Sequence, residues 1–317
     1  MKILTTKTNY TYKDTLPNSF IVGAPKGATT SLYFYLKQHP EIYMSPVKEP
    51  KFFSVPANKF PHKGPGDEEV DKTVIKTWGE YLALFNNVKK EKAIGEASAD
   101  YLYFHETVAP LIKEKIPAAR IIIILRNPVE RAFSAYLHLL RDKRENLSFE
   151  KALEFEKERK HNNYEFIWFY KDVGFYSNQV ATYIKFFGRE RVKICLYEEF
   201  KEKPLKVIKE IFSFLNVDPN FTPDISHAYN ISKIPISRII NDILTDYNHP
   251  LKLILRPVLL NILGKKRLER LVNYFKEKNL LKIKPYTKKY LIKLYEPDIL
   301  KLQDLINKDL SFWLRMR

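Results

Sequence analysis

The sequence predicts an α/β fold: a central parallel β-sheet flanked by helices, with a helical C-terminal extension. Three observations predict it. Short, continuous apolar runs such as residues 121–125 alternate with stretches of helical spacing, and strands apolar on both faces belong to a parallel sheet covered on both sides. The first such run passes directly into a glycine-containing loop and then a helix, as a βα turn does. Beyond about residue 231 the strand pattern ceases, and helical segments that are both basic and apolar take over. The chain has 317 residues, 45% of them apolar and 14% aromatic, enough for a sizeable core and incompatible with a disordered polypeptide. Single cores stop growing near roughly 250–300 residues. One domain over residues 1–317 is therefore expected, with an α/β core at 18–230 and a helical part at 231–317.

Residues 19–22 form the first predicted strand, which runs into a loop at 23–31. Leu32, Tyr35 and Leu36 then fall at helical spacing, and that helix is expected to stop before His39-Pro40. A second unit opens with a strand at 93–96, continues as a helix around 108–116 and delivers the chain to the strand at 121–125. Arg126-Asn127-Pro128 reads as a helix start, with Asn127 as N-cap and Pro128 at the first helical position; the helix carries Arg131, Ser134 and His138. Helices at 148–160 and 176–187, a strand at 192–197 and a helix at 200–215 complete the core. The segment 61–67, rich in Gly and Pro, is expected to be an exposed loop. Residues 251–263 read as an amphipathic helix kinked at Pro257, packing on the core or docking on a membrane surface. The tail, 295–314, is expected to dock its aromatics on the domain.

The formal net charge is +17, from 54 Lys and Arg against 37 Asp and Glu. Such a surface attracts nucleotides, nucleic acid, anionic lipid and acidic glycans alike, so charge alone does not choose among them. The single cysteine, Cys195, excludes an internal disulfide and lies in an apolar run, where a buried core thiol and a reducing compartment are expected. Residues 1–7 carry charge without a continuing apolar stretch, so no secretory signal is expected. The run at 121–125 falls far short of the ~20 residues that span a bilayer.

Gly23-Ala24-Pro25-Lys26-Gly27-Ala28-Thr29-Thr30-Ser31 has the context of an oxyanion site. A loop that leaves a parallel strand and opens a helix offers unpaired backbone N–H groups and the positive end of the helix dipole. Lys26 adds charge, and Thr29, Thr30 and Ser31 add hydroxyl donors. The ATP-binding pattern G-x-x-x-x-G-K-[ST] would need Gly at 28 and Lys at 29, where Ala28 and Thr29 stand, so an ATPase is disfavoured. Farther along, Arg126 ends a strand and Ser134 lies in the next helix. Six helical residues rise only ~9 Å, so the two reach one ligand and can hold a second phosphate by a guanidinium fork and a hydroxyl. An ordinary βα turn and a surface Arg with an incidental Ser are the bland alternatives. The seven histidines show no pair at metal-binding spacing, and no metal is expected.

Residues 23–36, followed by Leu125-Arg126-Asn127-Pro128-Val129-Glu130-Arg131-Ala132-Phe133-Ser134-Ala135-Tyr136, resemble the nucleotide-dependent sulfotransferases. The first segment looks like their 5′-phosphosulfate loop and the second like their 3′-phosphate motif. Lys48-Glu49-Pro50-Lys51-Phe52-Phe53, Gly95-Glu96-Ala97-Ser98-Ala99-Asp100-Tyr101-Leu102 and the tail Asp309-Leu310-Ser311-Phe312-Trp313-Leu314 are similar to the bacterial and heparan-sulfate-type carbohydrate branch. The resemblance spans about residues 18–315. It implies a P-loop-NTPase-like sheet and transfer of a sulfuryl group from 3′-phosphoadenosine 5′-phosphosulfate (PAPS), without a metal. The acceptor implied is a hydroxyl or amine of a carbohydrate or glycolipid, and the nucleotide product is 3′,5′-diphosphoadenosine.

Roles for individual residues follow from the same resemblance. Lys26, Gly27, Ala28, Thr29, Thr30 and Ser31 would hold the donor's 5′ end, with Lys26 also meeting the departing phosphate oxygen. Arg126 and Ser134 would hold the 3′-phosphate. Glu49 matches the family's catalytic glutamate, and a local argument agrees, because Pro50 biases it to an extended, rigid backbone. Glu96, at the end of a short strand, is the rival base, with a structural or acceptor-orienting role as the other reading. Tyr176 would lie near the adenine or pack in the core, and Arg238 would close over the 3′-phosphate. Two departures stand out: Lys51 occupies a position where several relatives carry His, and Ala97 one where the heparan-sulfate enzymes carry Lys. The alternatives are a nucleotide-dependent phosphotransferase and a basic module that binds nucleic acid or membrane, with nucleic acid disfavoured. The implied location is the bacterial cytoplasm, compatible with peripheral contact at the inner face of the membrane.

Overall fold

The structure, a computed structural model, describes residues 15–226 and 281–316. Arg238 and the expected helix at 251–263 with its membrane-docking alternative lie outside the described residues. In chain order the elements are β1 (Ser19–Gly23), α1 (Thr29–Leu36), β2 (Ile42–Met44), α2 (Asp67–Asp71), α3 (Trp78–Ala83), β3 (Ala93–Ala97), α4 (His105–Lys115), β4 (Arg120–Leu125), α5 (Pro128–Arg141), α6 (Phe149–Glu154), α7 (Glu156–His161), α8 (Tyr176–Phe187), β5 (Val192–Leu196), α9 (Tyr197–Glu202), α10 (Pro204–Leu215) and α11 (Pro285–Ile306).

The five strands form one parallel sheet in the order β2-β3-β1-β4-β5. Alternating residues of β4 point to opposite faces. Ile121, Ile123 and Leu125 enter a core built with α4, α5, α8 and α11, while Ile122 and Ile124 pack with α1 and α10. That double burial is why these strands read as unbroken apolar runs. Cys195 is buried on the second face, and burial pushes its thiol up to about 12. The helical C-terminal part is seen in α11, whose Leu291, Tyr295, Ile299 and Leu302 are buried, and in a closing turn that buries Trp313. No helix among the described residues is long and apolar enough to cross a membrane.

One strand, β2, has no counterpart in the sequence reading, and four local readings need correction. β2 has only three residues, too few to leave a signature in the sequence. The charged stretch at 148–160 is two short helices that meet at Phe155. The helix expected at 200–215 divides at Pro204, which takes the first position of α10, and Tyr197 opens α9 rather than closing β5. The segment 61–67 is not a free loop, because His62 and Asp67 are buried. Asp67 accepts from the N–H groups of Gly64 and Glu165, from the Trp168 indole at 2.9 Å and from the Arg144 guanidinium.

From β1 the chain crosses toward β3 and β2; from β4 it crosses toward β5. The carboxyl ends of β1 and β4 therefore flank the topological switch point of the sheet, where open α/β folds bind ligands.

Candidate functional site

The loop after β1 is pinned to β4 by the Ala24 N–H, which donates to the Ile124 carbonyl at 2.8 Å. Gly27 packs so closely that a Cβ there would meet the Ile124 and Ala24 carbonyl oxygens at 2.5 and 2.8 Å. Lys26 and Ala28 both adopt left-handed backbone, with φ of 66° and 76°. Such local reversals build anion-binding concavities of backbone N–H groups. The loop then opens α1 without a side-chain cap, so the first-turn N–H groups at Thr29, Thr30 and Ser31 face the same opening.

That opening is a cavity of about 1250 Å³. Lys26, Ala28, Thr29, Thr30 and Ser31 line one end, and Gly27 lies just behind them. Arg126 joins them from the end of β4. Its Nη1 donates to the Lys26 carbonyl at 3.1 Å, and its guanidinium lies 4.6 Å from the centre of the Tyr197 ring. Asn127 caps α5 by accepting from the Val129 and Glu130 N–H groups. This fixes the helix so that Glu130, Phe133, Ser134, Leu137 and His138, spaced three and four apart, face the cavity. Burial, together with the charges of Arg141 and Arg126, lowers the Lys26 ammonium to about 8. Among the described residues neither Lys26 nor Arg126 forms an ion pair with a carboxylate.

Glu49 lines the same cavity from the opposite side of β1. Its backbone is left-handed, φ 62°, not extended as its place before Pro50 predicts. Tertiary bonds override the local bias. The Glu49 N–H donates to the Ala97 carbonyl, and the Glu49 Oε2 accepts from the Ala99 N–H, both at 2.8 Å. The other oxygen takes the Lys48 ammonium at 2.5 Å. Burial pulls this carboxyl upward, but Lys48, Lys51 and the Ala99 N–H outweigh it and hold it below the usual carboxylate range. Lys51 pairs with Glu165 at 2.8 Å. Burial opposes its charge, yet Glu165, Asp100 and Glu49 hold its ammonium above its ordinary value.

Glu96 and Tyr176 do not line the cavity. Glu96 is fully buried, accepts from the Tyr81 hydroxyl at 2.6 Å and the Ser98 hydroxyl at 2.7 Å, and is pushed by burial to about 7. Through Ser98, whose Oγ accepts from the Lys51 N–H, it braces the segment that carries Glu49. Tyr176 is buried edge-on to Trp313 in the core, while its N–H donates to Asp298. The aromatics that do line the cavity alongside Lys26 and Arg126 are Tyr35, Tyr197 and Phe200.

Sequence reading assigned no role to His138, Arg144 or Glu165, yet all three line the cavity. His138 could have been found, since it follows Ser134 by one turn. Burial and then the Lys26 charge hold its imidazole down to about 4. Arg141 Nη2 lies 2.7 Å from His138 Nδ1, which makes Nδ1 the acceptor and leaves the proton on Nε2. Nothing local in the sequence points to Arg144 or Glu165, which arrive through tertiary folding.

The Sulfotransferase family model matches residues 17–223 of the chain. A sulfotransferase from Alicyclobacillus acidocaldarius, known as a crystal structure, is 38% identical, with a TM-score of 0.77 over 95% of this chain and 100% of that one. The bifunctional heparan sulfate N-deacetylase/N-sulfotransferase 4 of Mus musculus is 27% identical over 66% of this chain and 23% of its own length. Carbohydrate sulfotransferase 15 of Homo sapiens is 26% identical over 64% of this chain and 44% of its own. The chain thus spans less than half the length of these curated relatives.

Proposed function

The chain belongs to the sulfotransferase family, and on that premise we propose that it transfers a sulfuryl group from PAPS to a hydroxyl or amine of a carbohydrate or glycolipid. The observation that carries this reading is the arrangement across one cavity: two cations that form no ion pair with a carboxylate among the described residues, Lys26 and Arg126, at the switch point, and the buttressed carboxylate of Glu49 facing the same space. An anionic donor satisfies the cations, and the carboxylate is left to take a proton.

In this reading the N–H groups at 27–31 and Lys26 hold the phosphosulfate end, and Arg126 with Ser134 holds the 3′-phosphate. The flat rings of Tyr197 and Phe200 offer faces on which a base stacks. The acceptor oxygen attacks sulfur in line, the bond from sulfur to the 5′-phosphate oxygen breaks, and the acceptor proton passes to Glu49. Lys26 neutralises the charge that develops on the departing oxygen. 3′,5′-Diphosphoadenosine and the sulfated acceptor leave. Glu49 suits the base by position: it lines the cavity and its backbone anchors fix its direction. Although a pKa below the usual carboxylate range weakens it as a base, it keeps the carboxylate ionised and ready to accept at neutral pH.

The test is an assay of purified protein with PAPS and a panel of sugar acceptors, following 3′,5′-diphosphoadenosine and sulfated product together. Equal accumulation of the two is expected, and Glu49→Gln is expected to lower turnover by roughly 10²–10⁴ while still binding nucleotide. Turnover in Glu49→Gln near that of the unaltered protein would remove Glu49 as the base.

A further inference from the structure

The two ends of the cavity differ in how their charges are matched. At the donor end Lys26 and Arg126 stand without carboxylate partners among the described residues. At the other end each cation that the described residues contribute to the wall is already matched: Lys48 by Glu49 at 2.5 Å, Lys51 by Glu165 at 2.8 Å, and Arg144 by Asp67. These residues form one region, because Asp67 also accepts from the Glu165 N–H and Arg144 Nε donates to the Pro65 carbonyl. His138 is uncharged.

The pairs around Lys51 and Arg144 are also buried. Glu165 is 5% exposed and Asp67 0%, so an acidic ligand that drew either cation away would strand a buried carboxylate, at high cost. Interleaved with these neutral pairs are Val70, Phe133, Leu137, Phe166 and Ile167, all facing the cavity. At about 1250 Å³ the space exceeds the 300–1,000 Å³ typical of a site for one small ligand, which leaves room for a second molecule beside the nucleotide.

Building on the sulfotransferase reading, we propose that the acceptor is an uncharged glycoside carrying an apolar arm, and not an acidic polysaccharide. Its hydroxyl meets Glu49, and its arm lies along Phe166, Ile167 and Val70. Within the acceptor wall the charges cancel in pairs, and binding rests on apolar burial and neutral hydrogen bonds.

The experiment uses the full chain with PAPS and two acceptor sets: methyl, hexyl and octyl β-glucosides, and unsulfated oligosaccharides of glucuronic acid and N-acetylglucosamine. Transfer to the alkyl glucosides is expected, with kcat/KM rising at least tenfold from methyl to octyl, since each fully buried methylene is worth roughly fourfold. Ile167→Asn should bring that ratio toward one. Glu165→Gln, which leaves Lys51 without its carboxylate, should raise the ratio of acidic to neutral kcat/KM several-fold. Preference of the unaltered protein for the uronate oligosaccharides would overturn the proposal, as would transfer to neither set. Calorimetric binding of 3′,5′-diphosphoadenosine to the same preparation separates the two readings. Retained nucleotide binding confines such a failure to the acceptor, whereas its loss removes the sulfotransferase reading as well.

Discussion

Arg126 donates to the main-chain carbonyl of Lys26 at 3.1 Å across a separation of 100 residues, which joins the loop after β1 to the end of β4. The bond consumes one guanidinium N–H and orients the rest. The Tyr197 ring supports the guanidinium from one face. The first prediction follows from this geometry.

Arg126→Ala and Ser134→Ala should weaken binding of 3′,5′-diphosphoadenosine about tenfold to a hundredfold, the range of a lost hydrogen bond to a charged group, about 1.5–3 kcal/mol. Binding of 5′-AMP, which lacks the 3′-phosphate, should hardly change. Calorimetry with both nucleotides checks this, and equal losses would move these residues away from the 3′-phosphate.

Gly27→Ala should abolish nucleotide binding in a protein that still folds. The added methyl meets two backbone carbonyl oxygens, which cannot yield as a flexible side chain would. The loop must shift, and its N–H groups shift with it. Circular dichroism alongside calorimetry separates loss of the site from loss of the fold.

The pH dependence has a defined sign. Lys26 acts as a cation, and burial lowers it to about 8, so kcat/KM should fall as pH rises through about 8. With Glu49 as the proposed base, held below the usual carboxylate range, the acid limb should fall only in strongly acidic solution. Lys26→Arg should carry the alkaline limb upward, because a guanidinium does not deprotonate there.

His138 offers a spectroscopic check. Burial and the neighbouring Lys26 charge hold it down to about 4. Lys26→Met removes the second cause and leaves the first, so the imidazole pKa should rise without reaching its ordinary value. A proton NMR titration reads this directly. An unmoved pKa would mean that the two groups do not sense each other.

Asp67→Ala should destabilise the fold by about 3–5 kcal/mol, because it leaves Arg144 uncompensated in a buried setting and orphans two backbone N–H groups. Urea unfolding measures it. A loss below about 1 kcal/mol would show that water or a neighbouring group takes over these bonds.

The sheet was legible because its strands are buried on both faces. A run such as Ile121 to Leu125 has few other readings, and Asn127-Pro128 marked the start of α5 by its chemistry. The loop at 23–31 was legible for the same kind of local reason. Glu49 does line the cavity, but its stiffness comes from β3 and Ala99, not from an extended backbone before Pro50. Core packing was one of the two readings of Tyr176 and is what the structure shows; its partner Trp313 and the Tyr81 that holds Glu96 were not legible, because they arrive from elsewhere in the chain. Asp67 reads as a loop residue until Gly64, Arg144, Glu165 and Trp168 gather around it. The charge matching of the acceptor wall is tertiary throughout and leaves no trace in composition.

The central claim is that this cavity receives a nucleotide bearing both a 3′-phosphate and a 5′-phosphate, and the most direct measurement is calorimetric titration with 3′,5′-diphosphoadenosine against 5′-AMP and ATP with Mg²⁺. Tight binding that needs no metal and requires the 3′-phosphate is expected. Equal or stronger binding of ATP with Mg²⁺ would contradict it and favour a phosphotransferase.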